Sequence, residues 1–282
     1  MEVATRVEPC APCVFGWMTC CCDQRVVWRA SEPNIWPHHE QVALTIDDVP
    51  RKGTTRDDVL KIMQLLFDHR AKATFFVIFE QLAEVPHDVR RVFMDHVRCH
   101  GHEIGLHFAG RWGFAMPVDE LHAAAVEAQS VVQRCYGLRL RYARMPGGFS
   151  TPAQVTALEA LGLTVANGTA YPFDADLCQC LPARFLGRCA ARLSERGGRI
   201  AILHDSPRLV SKGGELAAFL DAARRGHGLT VVTLEELLER IGTARDAPLV
   251  PLVRVRVRER ERERNGEPGV LAHGLQHAVR VK

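Results

Sequence analysis

Short apolar runs alternate along this chain with longer stretches of helical periodicity. Residues 42–46 are a run of β-formers, and residues 73–79 (ATFFVIF) and 199–203 (RIAIL) read the same way. Runs of that length without polar alternation predict strands buried on both faces. Briefer strands are predicted at 103–106, 142–144, 163–166 and 230–233. Between them the apolar spacing becomes helical. Residues 56–67 carry apolar Val59, Leu60, Ile62, Met63, Leu65, Leu66 and Phe67, wide enough for a buried helix face behind a Thr54 or Thr55 cap, and 86–98 place Val89, Val92, Phe93 and Val97 on one side. Residues 118–136 form a long helix that begins after a proline and stops at Gly137. Helices are also predicted over 152–161, 182–194, 216–225 and 234–241.

A strand–helix rhythm of this kind means a parallel sheet covered by helices. About seven strands favour an α/β fold in a closed or nearly closed barrel over an open sheet. Functional groups then belong at the C-terminal ends of the strands. Beyond Ile241 the pattern breaks down into VRVRVRERERER, which alternates apolar and charged residues and then carries charge alone. The expected organisation is a Cys-rich extension over 1–40, a barrel over 41–243 and a charged, solvated tail over 244–282.

Charge adds one point. From Leu252 to the end there are eight basic residues and four acids, a net +4 that leaves −1 of the chain's formal +3 for everything before it. A nearly neutral body offers no nucleic-acid surface. Cys10, Cys13, Cys20, Cys21 and Cys22 crowd the N-terminus, whereas Cys99, Cys135, Cys178, Cys180 and Cys189 are scattered without framework spacing. The scattered set fits reduced thiols. The N-terminal set is open to three readings: a thiol-reactive extension, membrane contact through acylated cysteines, or a metal ribbon that lacks its second pair. The region makes a poor signal peptide and is too short to span a bilayer, so an intracellular location is expected.

The strand ends carry the chemistry. The first strand finishes on Asp47 and Asp48, adjacent like charges that either open a polar turn or hold separate jobs. The strand at 103–106 leads to His107. The strand at 142–144 gives Arg144 and then Met145, Pro146, Gly147 and Gly148. The strand at 163–166 leads to Asn167 and, after YPF, to Asp174, and RIAIL leads to His204 and Asp205. Each alone has a plain structural explanation, but a barrel brings these ends together. Their shared chemistry is metal-assisted hydrolysis: a carboxylate and a histidine for a divalent ion, a second carboxylate as base, and a histidine as acid.

TIDDVP, ATFFV, GHEIGLH, RMPGG and ILHD, in that order, resemble the polysaccharide deacetylase family over about residues 42–241. The resemblance implies an α/β fold, a distorted (β/α) barrel, and removal of N- or O-acetyl groups from a carbohydrate on a divalent ion, zinc above all. By position it makes Asp47 the general base, and Asp48 and His107 ion ligands. Arg144 becomes the tether of the base, Gly147 the oxyanion donor, Asp174 the orienter of the acid and His204 the acid, with Leu203 beside the acetyl pocket. The partner it implies is an acetylated carbohydrate or similar small substrate.

The departures from the family pattern matter as much. The second ligand histidine is expected four residues after His107, where this chain has Arg111, a side chain that cannot ligate a cation. Gly147 stands where an aromatic residue is usual, Leu106 where an asparagine is, and the tryptophan near Phe173 is missing. His100 or His102 would have to supply the missing ligand, or waters would. The alternative is a non-catalytic carbohydrate-binding barrel.

Overall fold

The computed structural model describes residues 40–110, 113–168, 170–172, 174–175, 181–194 and 199–240. The expected extension and tail, along with Arg111, Phe173, Cys178 and Cys180, lie outside them, apart from Glu40. Seven strands, all parallel, are described: β1 (Gln41–Asp47), β2 (Thr74–Ile78), β3 (Glu103–His107), β4 (Tyr142–Arg144), β5 (Thr164–Val165), β6 (Ile200–His204) and β7 (Thr230–Val232). They run β5-β4-β3-β2-β1-β6, with β7 paired to the first half of β1. Lys72 N–H donates to the Val231 carbonyl, so β7 sits beside the entry to β2. The sheet curls into a half-barrel. Just past β5, Ala170 bridges to Ala201 of β6 and draws the open seam together.

Helices cross over between the strands: α1 (Arg56–Asp68), α2 (Phe79–Leu82), α3 (His87–Cys99), α4 (Val118–Val131), α5 (Pro152–Ala160), α6 (Ala183–Leu193), α7 (Glu215–Asp221) and α8 (Leu234–Arg240). The cap of α1 is Thr55, in a reciprocal capping box with Asp58. Its neighbour Thr54 points elsewhere. The long helix expected over 118–136 is α4 followed by a π-helical turn at Val132–Tyr136, which Gly137 ends at φ 65. Among the described residues no helix is long and apolar enough to cross a membrane. Cys99 and Cys135 are exposed free thiols, and Cys189 is half-buried.

Strand alternation divides the core in two. Val42, Leu44, Ile46, Phe75, Val77, Ala201 and Leu203 pack outward against the helices. Ala43, Phe76, Tyr142, Ile200 and Val232 fill the barrel interior with Leu234, Leu237 and Leu238 of α8. Helix α8 thus plugs the end where the strands begin. Of the polar inward residues, Thr74 and Glu103 face α8 and accept from its Leu234 and Glu235 backbone N–H groups, while Thr45, Asp47, His107, Arg144 and His204 lie toward the other end.

Candidate active site

The two aspartates at the end of β1 part company. Asp47 is the last inward residue of the strand and is 2% exposed. Asp48 turns out of the strand at φ 68, outside the ordinary range for a residue with a Cβ, and a cis Val49–Pro50 bond follows. Adjacent carboxylates that would repel on one face are therefore aimed at different partners.

Asp47 faces Arg144. Its Oδ1 accepts a hydrogen bond from Arg144 Nη1 at 2.6 Å. The same nitrogen donates to Thr45 Oγ1 at 2.7 Å, and Arg144 Nε donates to the Ala166 carbonyl at 3.0 Å. The guanidinium lies 4.0 Å above the Phe76 ring centroid. Burial pushes the Arg144 pKa down, and the charge and hydrogen bond of Asp47 push it back up. An arginine keeps its proton under such opposition, so the buried pair is a charged one. Phe76 needs its own room: a Cβ at Gly105, one strand over, would lie 2.6 Å from that ring. Gly105, at the centre of β3, thus lets the aromatic floor form beneath Arg144.

His107 faces Asp48. Its Nδ1 lies 2.7 Å from the Arg144 carbonyl, an acceptor only, so Nδ1 carries the proton and donates. In the neutral ring that leaves a lone pair on Nε2, 3.7 Å from Asp48 Oδ1. A nitrogen lone pair opposite a carboxylate oxygen wants a cation between them, and a histidine that binds a metal through one nitrogen usually donates its other N–H to a carbonyl or carboxylate, as Nδ1 does here. The donor chemistry of these two side chains fits a divalent ion, which Asp48 and His107 could hold. Among the described residues no group of three or more His, Cys, Asp or Glu side chains converges as an ion site. His102 cannot complete the set. It precedes β3, at the opposite end of the strand from His107, and its Nδ1 accepts from Ala73 N–H at 3.3 Å. His100 stacks on His96 at that same end, 5.1 Å between centroids.

His204 ends β6 across from Asp47. Asp174 grips it twice, with Oδ2 accepting from the His204 backbone N–H at 2.7 Å and Oδ1 meeting Nδ1 at 3.0 Å. Nε2 is left pointing at Asp47 Oδ2, 3.9 Å away and too far for a hydrogen bond. Burial depresses the His204 imidazolium, but the Asp174 hydrogen bond and the charges of Asp174, Asp47 and Asp48 outweigh it, and its pKa is pushed up to about 9. The arrangement can hold a proton on His204 at neutral pH beside a carboxylate, Asp47, with one oxygen open.

The structure brings Asp47, Asp48, His107, Arg144, Asp174 and His204 to one end of the barrel. Gly147 is in the turn that follows β4, at φ 64. Leu203, alternating with His204, is buried in the helix-facing core rather than beside it. Sequence reasoning missed Thr45 and Phe76. Thr45 had a signal, since it lies two residues before Asp47 on the same strand face; Phe76 looked like any core aromatic. Tyr171 was also passed over, with its ring 5.4 Å from that of His204.

Comparison with known proteins adds family evidence. Residues 36–166 match the family model described as polysaccharide deacetylase. A peptidoglycan-N-acetylglucosamine deacetylase of Bacillus cereus is 31% identical over 109 residues, 38% of this chain and 36% of that protein. A chitooligosaccharide deacetylase of Bradyrhizobium sp. is 27% identical over 168 residues, 58% of this chain and 70% of the relative. The chain therefore spans little more than a third of the first relative's length. Among solved structures, a CE4 family pseudoenzyme from Bacillus anthracis has a TM-score of 0.62 at 18% identity, covering 77% of this chain and 69% of its own. The peptidoglycan deacetylase PdaC from Bacillus subtilis has a TM-score of 0.55 at 19% identity, covering 74% and 95%. Those two likenesses are of fold. Fold and family model point the same way: residues 36–166 resemble polysaccharide deacetylases, and the fold is that of the solved CE4 structures.

Proposed function

We propose that the chain is a metal-dependent hydrolase that removes acetyl groups from an N- or O-acetylated carbohydrate. The observation that carries this reading is the division of labour between adjacent aspartates: Asp47 is locked to a buried arginine, while Asp48 is turned toward a histidine lone pair. Asp48 and His107 would hold the divalent ion, which when bound supplies Lewis acidity toward the acetyl carbonyl and toward water. Enzymes of this family are typically metal-dependent, and zinc is the ion proposed here.

The chain's own groups do the rest. Arg144 holds Oδ1 of Asp47, so that Oδ2 takes the proton of the attacking water. The left-handed turn at Gly147 presents a backbone N–H to the oxyanion as the carbonyl carbon becomes tetrahedral. His204, protonated and held by Asp174, gives its proton to the leaving amine or alcohol. The substrate class rests on the family: the curated relatives are named as deacetylases of peptidoglycan N-acetylglucosamine and of chitooligosaccharides. The Cys-rich extension over 1–40 and the charged tail over 244–282 are read as appendages to this unit.

A second reading has one observation behind it. Arg111 stands four residues after His107, and the described residues offer no third ligand. On that reading the cleft binds an acetylated carbohydrate without cleaving it. Acetate release from N-acetylated chito-oligosaccharides by the full chain with zinc supplied, beside Asp47→Asn and His204→Ala, separates the two. The hydrolase reading expects release by the unaltered chain and a fall of about 10²–10⁴-fold in each variant. Oligosaccharide binding without release, unchanged by Asp47→Asn, would establish the second.

A further inference from the structure

Asp48 sits at φ 68, a backbone conformation that a residue with a Cβ adopts only when its surroundings impose it. The loop that follows it is tied to itself: Thr54 N–H donates to the Arg51 carbonyl and Arg51 N–H donates to Thr54 Oγ1, both at 3.0 Å. The same hydroxyl donates to Asp205 Oδ2 at 2.5 Å, and Arg51 Nε lies 3.9 Å from that oxygen. The Asp205 backbone N–H donates to the Asp47 carbonyl at 2.9 Å. One residue therefore grips the loop at both ends, with its main chain at Asp47 and its carboxylate at Thr54. The Asp205 side chain is 9% exposed and Thr54 is 7% exposed, which shelters a charge-assisted O–H···O⁻ bond from water.

We propose that Asp205 and Thr54 form a clamp that positions Asp48 toward His107. The inference rests on reading Asp48 as an ion ligand, and it makes Asp205 and Thr54 positioning residues that touch neither ion nor substrate. It also gives β6 two tasks. Its last residue, His204, supplies the proton donor, and the next braces the loop that leaves the neighbouring strand β1, so acid and ion site are set by one strand end.

The test uses the full chain with Thr54→Val, which removes the hydroxyl at similar volume, Thr54→Ser, which restores it, and Asp205→Asn, which removes the charge. Two quantities are read: zinc affinity by competition with a chromogenic chelator, and amide hydrogen exchange of residues 48–53 in the metal-free protein. Thr54→Val and Asp205→Asn should bind zinc about 10–100-fold more weakly, the usual effect of losing a residue that orients a ligand. Thr54→Ser should match the unaltered chain. Exchange at 48–53 should quicken in Thr54→Val while α1 stays protected. Unchanged affinity with unchanged loop exchange overturns the clamp, and so does a loss of protection spreading through β1 and α1. If the unaltered chain takes up no zinc, the ion-site reading fails on its own, and loop exchange alone decides the clamp.

Discussion

At the level of single residues, the site is a set of charges whose positions are fixed by what they cannot avoid. Asp47 and Arg144 are both buried, and neither can keep its charge there without the other. His204 is held charged by its acidic neighbours, and this has a definite sign. Its folded pKa is raised, from 6.5 to about 9, so the stability it contributes is whole below 6.5 and is lost as pH rises through 9. An NMR titration of the metal-free protein should place the imidazole near 9, and Asp174→Asn should bring it down toward the ordinary value. An unmoved titration in that variant would show that Asp174 does not set it. Gly105 supplies a second residue-scale test. Gly105→Ala drives a methyl group into Phe76, which is trapped beneath Arg144, and should destabilise the protein by about 1–3 kcal/mol. Denaturant unfolding checks this, and a neutral result would mean the ring has space to retreat.

These residues were unequally legible. Asp47, Asp48, His107, Arg144 and His204 end strands that the apolar runs outline, so reading strand ends finds them. Asp174 lies beyond a short strand and an irregular stretch, so the strand-end reading reaches it only after YPF, and its role as orienter of the acid comes from the family resemblance alone. Thr45 and Phe76 support the charged residues from within apolar runs, where composition hides them. Arg111, on which the sequence reading of the ion site turned, lies outside the described residues.

At the level of elements, each predicted strand and helix is present with its ends shifted by a residue or two. The regularity has a physical source, since a barrel strand covered on both faces must be apolar throughout and its crossover helix must carry an apolar stripe. The exceptions are local. Two helices run into π-helical turns, at Val132–Tyr136 and Ala222–Gly226, which the apolar spacing does not announce. The role of α8 was also hidden, because its sequence shows a helix but not that it closes the barrel floor. Leu237 is buried there against the interior residues of the strands. Leu237→Ala should destabilise the fold by about 2–5 kcal/mol while leaving the chemistry at the opposite end intact in whatever remains folded. Thermal unfolding and activity per folded molecule measure the two effects. Loss of activity without loss of stability would contradict the division between a structural floor and a chemical rim.

At the level of the whole molecule, the fold places one ionisable group after another at the rim of a barrel whose other end is sealed. Polysaccharide deacetylase relatives share that architecture, and so does a solved pseudoenzyme, so the fold by itself does not decide between catalysis and binding. The ion decides it. The direct measurement is the zinc content of the purified full chain by elemental analysis, beside Asp48→Asn and His107→Ala. A hydrolase built as described holds about one ion per chain at this catalytic type of site and loses it in either variant. An unaltered chain without zinc after loading, or an ion that survives both substitutions, would contradict it.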